Sequence, residues 1–197
     1  MSIQPGHRKR VKHVEHPGHV RELTFSCYQR RPLLDDDWRR EQLSVAITRA
    51  LARYPWRLAA FVYMPEHVHL LVYPTTAPAD VSRLLFAVKR PVSYRVKQRL
   101  ADSGDPILRD LTVRQRPGRT TFRFWQEGPG YDRNLAEPEA VLAAIDYLHR
   151  NPVSRGLCQR ARDYRWSSAR WYESNGVAVD PALPPLAKLP AAFLHEA

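Results

Sequence analysis

Residues 56–73 read WRLAAFVYMPEHVHLLVY and contain the pattern that decides the fold. Two runs of apolar and β-forming residues, Trp56–Met64 and His67–Tyr73, are separated only by Pro65-Glu66. Such a short interruption between two strand-like runs predicts a β-hairpin. We therefore expect the domain to be built around two adjacent antiparallel strands.

The segments that flank this hairpin predict one strand and two long helices. Val20–Cys27 is rich in β-forming residues, and Asp35–Asp37 predicts the capped start of a helix that runs to about Tyr54. A second helix is expected from about Asp80, with Pro91 kinking or breaking it.

Further along the chain, residues 112–125 predict a basic loop that leads into a short strand, and Glu137–Asn151 predicts another helix. The resulting order, β-α-β-β-α-β-α, indicates the α+β class. We expect a ferredoxin-like split βαβ sandwich, an antiparallel sheet with two helices on one face, plus a C-terminal helical extension. Residues 1–19 are predicted to be a flexible basic arm, 20–173 the folded domain, and 174–197 a Pro-rich tail.

Composition and charge narrow the class of protein. The 197 residues include 31 Lys and Arg against 20 Asp and Glu, a net charge of +11, which favours a polyanionic partner. No run approaches the roughly 18 apolar residues of a membrane span, so no membrane partner is expected. Two distant cysteines and the absence of a signal-peptide pattern indicate a cytoplasmic protein.

The sharpest local signal is His67-Val68-His69 on the second strand of the hairpin. Strand alternation places both histidines on one face, with their Cα atoms about 6.6–6.8 Å apart. Two imidazoles at that separation can converge on one divalent cation. Taken alone, the pattern is short and also fits two ordinary histidines on a half-exposed strand.

Tyr131 is a second candidate, because it directly follows Gly128-Pro129-Gly130. Such a turn can bring backbone close to a ligand and project the next side chain. A tyrosine that attacks phosphorus forms a phosphotyrosine ester. A free phenol, with a pKa of about 10, needs a Lewis acid or a base to assist it at neutral pH. No other tyrosine, Tyr147 included, follows a turn of this kind.

Four blocks of sequence together resemble the single-tyrosine HUH transposases, and in particular the branch of REP-associated tyrosine transposases. They are residues 63–72, YMPEHVHLLV; residues 124–133, FWQEGPGYDR; residues 147–157, YLHRNPVSRGL; and residues 163–168, DYRWSS. The resemblance covers roughly residues 20–170.

This resemblance implies a DNA transposase that cuts and joins single-stranded DNA beside hairpins through a covalent 5′-phosphotyrosine. It implies that His67 and His69 hold Mg²⁺ or Mn²⁺ and that Tyr131 is the nucleophile. The third metal ligand of the family is a polar side chain about one helical turn past the tyrosine. Asn134 takes that place if the segment is helical; if it is extended, Asn134 points away from Tyr131.

Two arginine-rich segments are the expected DNA contacts. Arginines near aromatic residues suit phosphate contacts and base stacking on a single strand or hairpin. The candidate residues are Arg114, Arg116, Arg119 and Arg123 in the basic loop, and Lys89, Arg90 and Arg95 on the second helix. A homodimer is possible and the sequence does not decide it.

Two alternative functions stay open at this stage. One is a catalytically silent protein that binds hairpin DNA, and the other is a metal-dependent hydrolase that uses the histidines without a tyrosine. Glu66 stands where relatives carry Asn or another polar residue, and its carboxylate either tunes the metal or faces solvent.

Overall fold

The computed structural model describes residues 19–128 and 130–193, so most of the predicted basic arm lies outside the described residues. The strands are β1 (Val20–Ser26), β2 (Trp56–Tyr63), β3 (His67–Pro74), β4 (Thr112–Arg116), β5 (Arg119–Phe122) and β6 (Tyr131–Leu135). The α-helices are α1 (Asp37–Arg53), α2 (Val81–Asp102), α3 (Ile107–Asp110), α4 (Pro138–Ser154) and α5 (Ala169–Glu173).

The central sheet has four antiparallel strands in the order β2-β3-β1-β6. Helices α1 and α2 pack together on one face, where Ser44 of α1 donates a hydrogen bond to the Tyr63 hydroxyl and Lys89 of α2 lies over the Phe25 ring. Helix α4 covers the opposite face. This arrangement confirms the predicted α+β, ferredoxin-like sandwich with additional C-terminal helices.

Two local predictions were wrong. The stretch expected to be a basic loop forms a hairpin, β4–β5, in a separate two-stranded sheet, and β6 supplies the fourth strand of the main sheet. Gly118, with φ of 73°, allows the tight turn between two runs of β-forming residues. Of the two outcomes predicted for Pro91, a kink or a break, the break is wrong, because helix α2 runs through Pro91 from Val81 to Asp102. Pro91 has no N–H for the carbonyl of Ala87, and because Ala87 is partly exposed and Pro91 is exposed, that carbonyl can bond to water.

The C-terminal segment lies along the folded domain. Backbone N–H of Ala187 donates to the Leu58 carbonyl, the Tyr73 hydroxyl donates to the Lys188 carbonyl, and Leu189 and Phe193 are buried. Among the described residues, no helix combines the length and the apolar character that a bilayer crossing requires.

Two ion pairs connect strand β6 to β1, one of them buried and the other exposed to solvent. Arg21 donates to both carboxylate oxygens of Asp132 at 3.0 Å, and both side chains are buried. The next residue, Arg133, contacts Glu22 at 2.9 Å from a position with 51% exposure. Bidentate geometry and burial make the first pair the stronger constraint on the position of β6.

We expect Asp132→Ala to lower the free energy of unfolding by about 3 kcal/mol, because it leaves a buried guanidinium without this carboxylate. Arg133→Ala, the matched control on the same strand, should cost less than about 1 kcal/mol because solvent screens its ion pair. Urea denaturation measures both values. If both variants lost the same free energy of unfolding, the buried ion pair would not be the stronger constraint on the position of β6.

Candidate active site

The register of the sheet brings the histidine strand and the predicted tyrosine onto one face. Thr24 of β1 lies opposite His69 of β3 on one side and opposite Tyr131 of β6 on the other, and Ser26 lies opposite His67. Directly opposed residues of neighbouring strands project to the same face. Tyr131, Thr24 and His69 therefore form a row across three strands, on the face that α4 covers.

The two histidines are buried and point their Nε2 atoms at each other, at a separation of 2.9 Å. The Nδ1 atom of His69 lies 2.8 Å from the Thr24 hydroxyl, which can either donate or accept. Nδ1 of His67 lies 3.2 Å from a carboxylate oxygen of Glu66, which can only accept. The Nε2–Nε2 separation is that of a hydrogen bond, in which one Nε2 carries the proton; with the protons on Nδ1, both Nε2 lone pairs would be free for a cation.

Glu66 is buried and connects three parts of the chain. Besides His67, its Oε1 accepts a hydrogen bond from Arg155, just past α4, at 2.8 Å and lies 3.7 Å from Arg30. Burial alone would raise the pKa of Glu66, but the hydrogen bond and the charge of Arg155 oppose it, and the net effect is a lowered pKa. The carboxylate thus stays ionised beside His67.

Burial also keeps the histidines neutral. Desolvation lowers the pKa of His67, although Glu66 opposes it, and lowers the pKa of His69 to about 4. Neutral imidazoles are the form that ligates metals. Among the described residues, no group of three or more His, Cys, Asp or Glu side chains is arranged to hold an ion.

The histidine pair fits a divalent cation. Nitrogen ligands lie about 2.0–2.1 Å from a bound divalent cation. If the N–metal–N angle is a right angle, the two nitrogens are about 2.9 Å apart, which matches the observed Nε2–Nε2 separation. With two protein nitrogens on one side, the remaining positions stay open for water or for oxygens of a substrate. The pair therefore has the donor set and spacing of an open metal site.

Tyr131 is placed by the glycine before it. Gly130 has φ of 73°, and a Cβ atom built on it would lie 2.3 Å from the Thr24 carbonyl oxygen. Only glycine lets the chain approach β1 this closely at that conformation. The Tyr131 side chain is 51% exposed, and its Cα lies two strand spacings, about 10 Å, from that of His69.

A second tyrosine, Tyr147 of α4, lies closer to the histidines. Its ring meets the His69 ring edge-on with 6.0 Å between centroids, and it is 59% exposed. Tyr147 follows no turn that would mark it in the sequence, and this is why the turn before Tyr131 points to Tyr131 instead. The family resemblance of the block that begins at Tyr147 is the signal that could have found it.

The structure does not bring Asn134 to the histidines. Residues 131–135 form a strand, and Asn134 pairs with Arg21 on the opposite face of the sheet from Tyr131. Asn151 stands one helical turn past Tyr147 and donates to the Tyr147 carbonyl at 3.2 Å. Residues four apart share a helix face, so Asn151 is the polar side chain that lies alongside Tyr147.

The predicted DNA contacts separate into different environments. Arg114, Arg116 and Arg119 are exposed on the β4–β5 hairpin, whereas Arg123 is largely buried and pairs with Glu127. On α2, Arg90 is exposed and lies over the Phe86 ring, and Arg95 donates to Gln42. Lys89 is half-buried over Phe25, and desolvation lowers the pKa of Lys89 to about 8.

Comparison with known proteins finds a family model that matches part of this domain. Residues 19–108, which include the histidine pair, are similar to the IS200-like transposase family. The match agrees with the resemblance at the first of the four sequence blocks, residues 63–72, and the other three blocks lie beyond it. The matched range ends before Tyr131 and Tyr147.

The solved structures that are similar to this chain include two transposases. A REP-associated tyrosine transposase bound to a REP hairpin has 17% sequence identity and a TM-score of 0.63, covering 92% of this chain and 100% of its own. A candidate transposase from Deinococcus radiodurans R1 has 18% identity and a TM-score of 0.44, covering 74% of this chain and 97% of its own. The first shows that the fold is shared. No curated protein matches this chain.

Helix α4, which carries Tyr147, also carries the buried His149. We expect protonation of His149 to lower the free energy of unfolding. His149 Nε2 lies 2.8 Å from the Ser168 hydroxyl, and burial, opposed by Asp146, lowers the pKa of His149 to about 4 from 6.5. Between those values the unfolded chain binds more protons than the folded one, so stability falls as pH drops from 6.5 towards 4.

We predict that this single group contributes up to about 3 kcal/mol to the loss of unfolding free energy across that window. His149→Gln should make the decline shallower, because it removes the titrating group while keeping a polar side chain. Urea denaturation at a series of pH values measures the slope. An unchanged slope in the variant would mean that His149 does not titrate with unfolding.

Proposed function

We propose that this chain is a DNA transposase that cuts single-stranded DNA beside a hairpin through a tyrosine and can rejoin the cut strand. The observation that carries the proposal is the histidine pair, with its Nε2 atoms 2.9 Å apart and exposed tyrosines on the same face of the sheet. The match of residues 19–108 to IS200-like transposases supports it.

Tyr147 is our first candidate for the nucleophile, because its ring lies against His69. Its hydroxyl oxygen would form a bond to the scissile phosphorus while the bond to the 3′ oxygen breaks and that oxygen takes up a proton. The products are a 5′-phosphotyrosine and a free 3′-OH. The phosphotyrosine ester retains the energy of the cleaved phosphodiester, so the strand can be rejoined without another energy source. Tyr131, in the same row of the sheet as His69, is the second candidate.

His67 and His69 are the residues that would hold Mg²⁺ or Mn²⁺, and Asn151 is better placed than Asn134 to be the third protein ligand. A bound divalent cation would act as a Lewis acid on the scissile phosphate. The Thr24 hydroxyl lies 2.8 Å from Nδ1 of His69, and the Glu66 carboxylate lies 3.2 Å from Nδ1 of His67; both contacts would help to hold the imidazoles in place.

Hairpin DNA is the proposed partner. The structurally similar REP-associated transposase was solved with a REP hairpin, and this chain has a net charge of +11. The exposed arginines of the β4–β5 hairpin, Arg114, Arg116 and Arg119, form no ion pair within the part of the chain that the structure describes. They are therefore available for phosphates.

The test of the proposed function is cleavage of a labelled DNA hairpin that carries single-stranded flanks, resolved on a denaturing gel. We expect wild type to give a slow-migrating, protease-sensitive band, the covalent adduct. Tyr147→Phe should abolish that band and retain binding, because the variant loses only the attacking oxygen. Tyr131→Phe is the matched control and should still form it.

Each other outcome has a definite meaning. Absence of the adduct in Tyr131→Phe alone would reassign the nucleophile to Tyr131. Cleavage that persists in both variants with unmodified 5′ ends would show that water attacks and that the chain is a hydrolase. Binding without any cleavage by wild type, with Mg²⁺ or Mn²⁺ supplied, would indicate a silent DNA-binding protein.

Dependence on a cation gives a separate prediction. EDTA should abolish cleavage, and added Mg²⁺ or Mn²⁺ should restore it in wild type but not in His67→Ala or His69→Ala. Mn²⁺ affinity, measured by titration calorimetry without DNA, should fall at least about 10-fold in each variant. Full Mn²⁺ affinity and cleavage in the double variant would rule out the histidine pair as the metal site.

A further inference from the structure

A groove between α1 and α2 lies on the face of the sheet opposite the histidine pair. Its volume is about 550 Å³, and it is lined by Arg49, Arg53, Tyr54, Phe86, Arg90 and Tyr94 together with small apolar residues. Phe86 also lines a smaller cavity of about 190 Å³ that reaches Gly128 and Asp132. Phe86 thus stands between two concave surfaces.

The groove is cationic and contains no carboxylate among its described lining residues. In the described parts of the chain, Arg49, Arg53 and Arg90 have no ion-pair partner, while Arg90 lies 5.4 Å from the centroid of Phe86 and Arg53 5.7 Å from that of Tyr54. Unpaired arginines beside aromatic rings are suited to an anion that also has flat, apolar surfaces.

The two aromatic rings of α2 are unusually open to solvent. Phe86 is 60% exposed and Tyr94 is 63% exposed, although both belong to residue types that are normally covered. They stand eight positions apart on one helix, which is about 12 Å along the axis. That length corresponds to three or four stacked nucleotides at about 3.4 Å each.

We infer that this groove is a second binding site for single-stranded DNA, in which the three arginines contact phosphates and the rings of Phe86 and Tyr94 stack on bases. Exposed rings favour single strands because the bases of a duplex are already stacked. The site is separate from the histidine face, and binding there does not depend on cleavage.

The experiment is fluorescence anisotropy of the full chain with a labelled oligothymidylate of about 12 nucleotides, which forms no hairpin, with EDTA present. Phe86→Leu/Tyr94→Leu keeps apolar bulk and removes both rings. We expect the Kd to rise about 10-fold for each ring and to return to near the wild-type value in Phe86→Tyr/Tyr94→Phe. Thermal unfolding of each variant verifies that the fold is intact.

A charge variant tests the phosphate contacts independently. Arg49→Gln/Arg53→Gln should reduce the slope of log K against log[salt] by about 0.7 for each arginine–phosphate pair that the substitutions remove, whereas the leucine variant should leave the slope unchanged. Arg170→Gln, an exposed arginine outside the groove, should not change the slope.

Wild-type affinity in the leucine variant would overturn the inference. A second result would also overturn it: sedimentation could show that the leucine substitutions dissociate a dimer while the oligonucleotide affinity stays unchanged. The rings would then bind a second copy of the chain and not DNA. Neither result would bear on the proposed cleavage at the histidine pair, which the adduct assay tests separately.

Discussion

The pairing of β1 with β3 is the constraint on which the site depends. Its register sets Thr24 opposite His69 and Ser26 opposite His67, and alternation along β3 then directs both imidazoles to one face. A shift of one residue would turn the histidines towards α1 and α2 and bury Leu70 in their place. The apolar residues Val68, Leu70 and Val72, which pack under those helices, therefore fix the orientation of the histidines.

The same alternation gives the sheet two faces with different surroundings. One face of the sheet carries the histidine pair and is covered by α4, which adds Tyr147. The other carries α1 and α2, whose outer side forms the cationic aromatic groove. Glu66 stabilises the first surface, because it joins the β2–β3 turn to Arg155 beyond α4 and contacts His67. The buried carboxylate therefore belongs to the site and does not face solvent.

Much of this fold could be predicted from local patterns, and the failures have physical causes. The β2–β3 hairpin, α1 and the histidine face follow from residue periodicity, which acts over a few residues. Asn134 was chosen on the assumption of a helix, but pairing with β1 makes that segment a strand. The closeness of Tyr147 to His69 depends on how α4 packs on the sheet, 78 positions further along the chain, and no spacing in the sequence encodes that contact.

The most direct test of the account is to locate the DNA adduct on the protein. Trypsin separates the two candidates, because residues 124–133 (FWQEGPGYDR) contain Tyr131 and residues 134–150 (NLAEPEAVLAAIDYLHR) contain Tyr147. After cleavage of a hairpin substrate and nuclease trimming, mass spectrometry should find the added nucleotide on Tyr147 in the 134–150 peptide. A nucleotide on the 124–133 peptide, or on neither, would contradict the placement of the nucleophile on α4 beside His69.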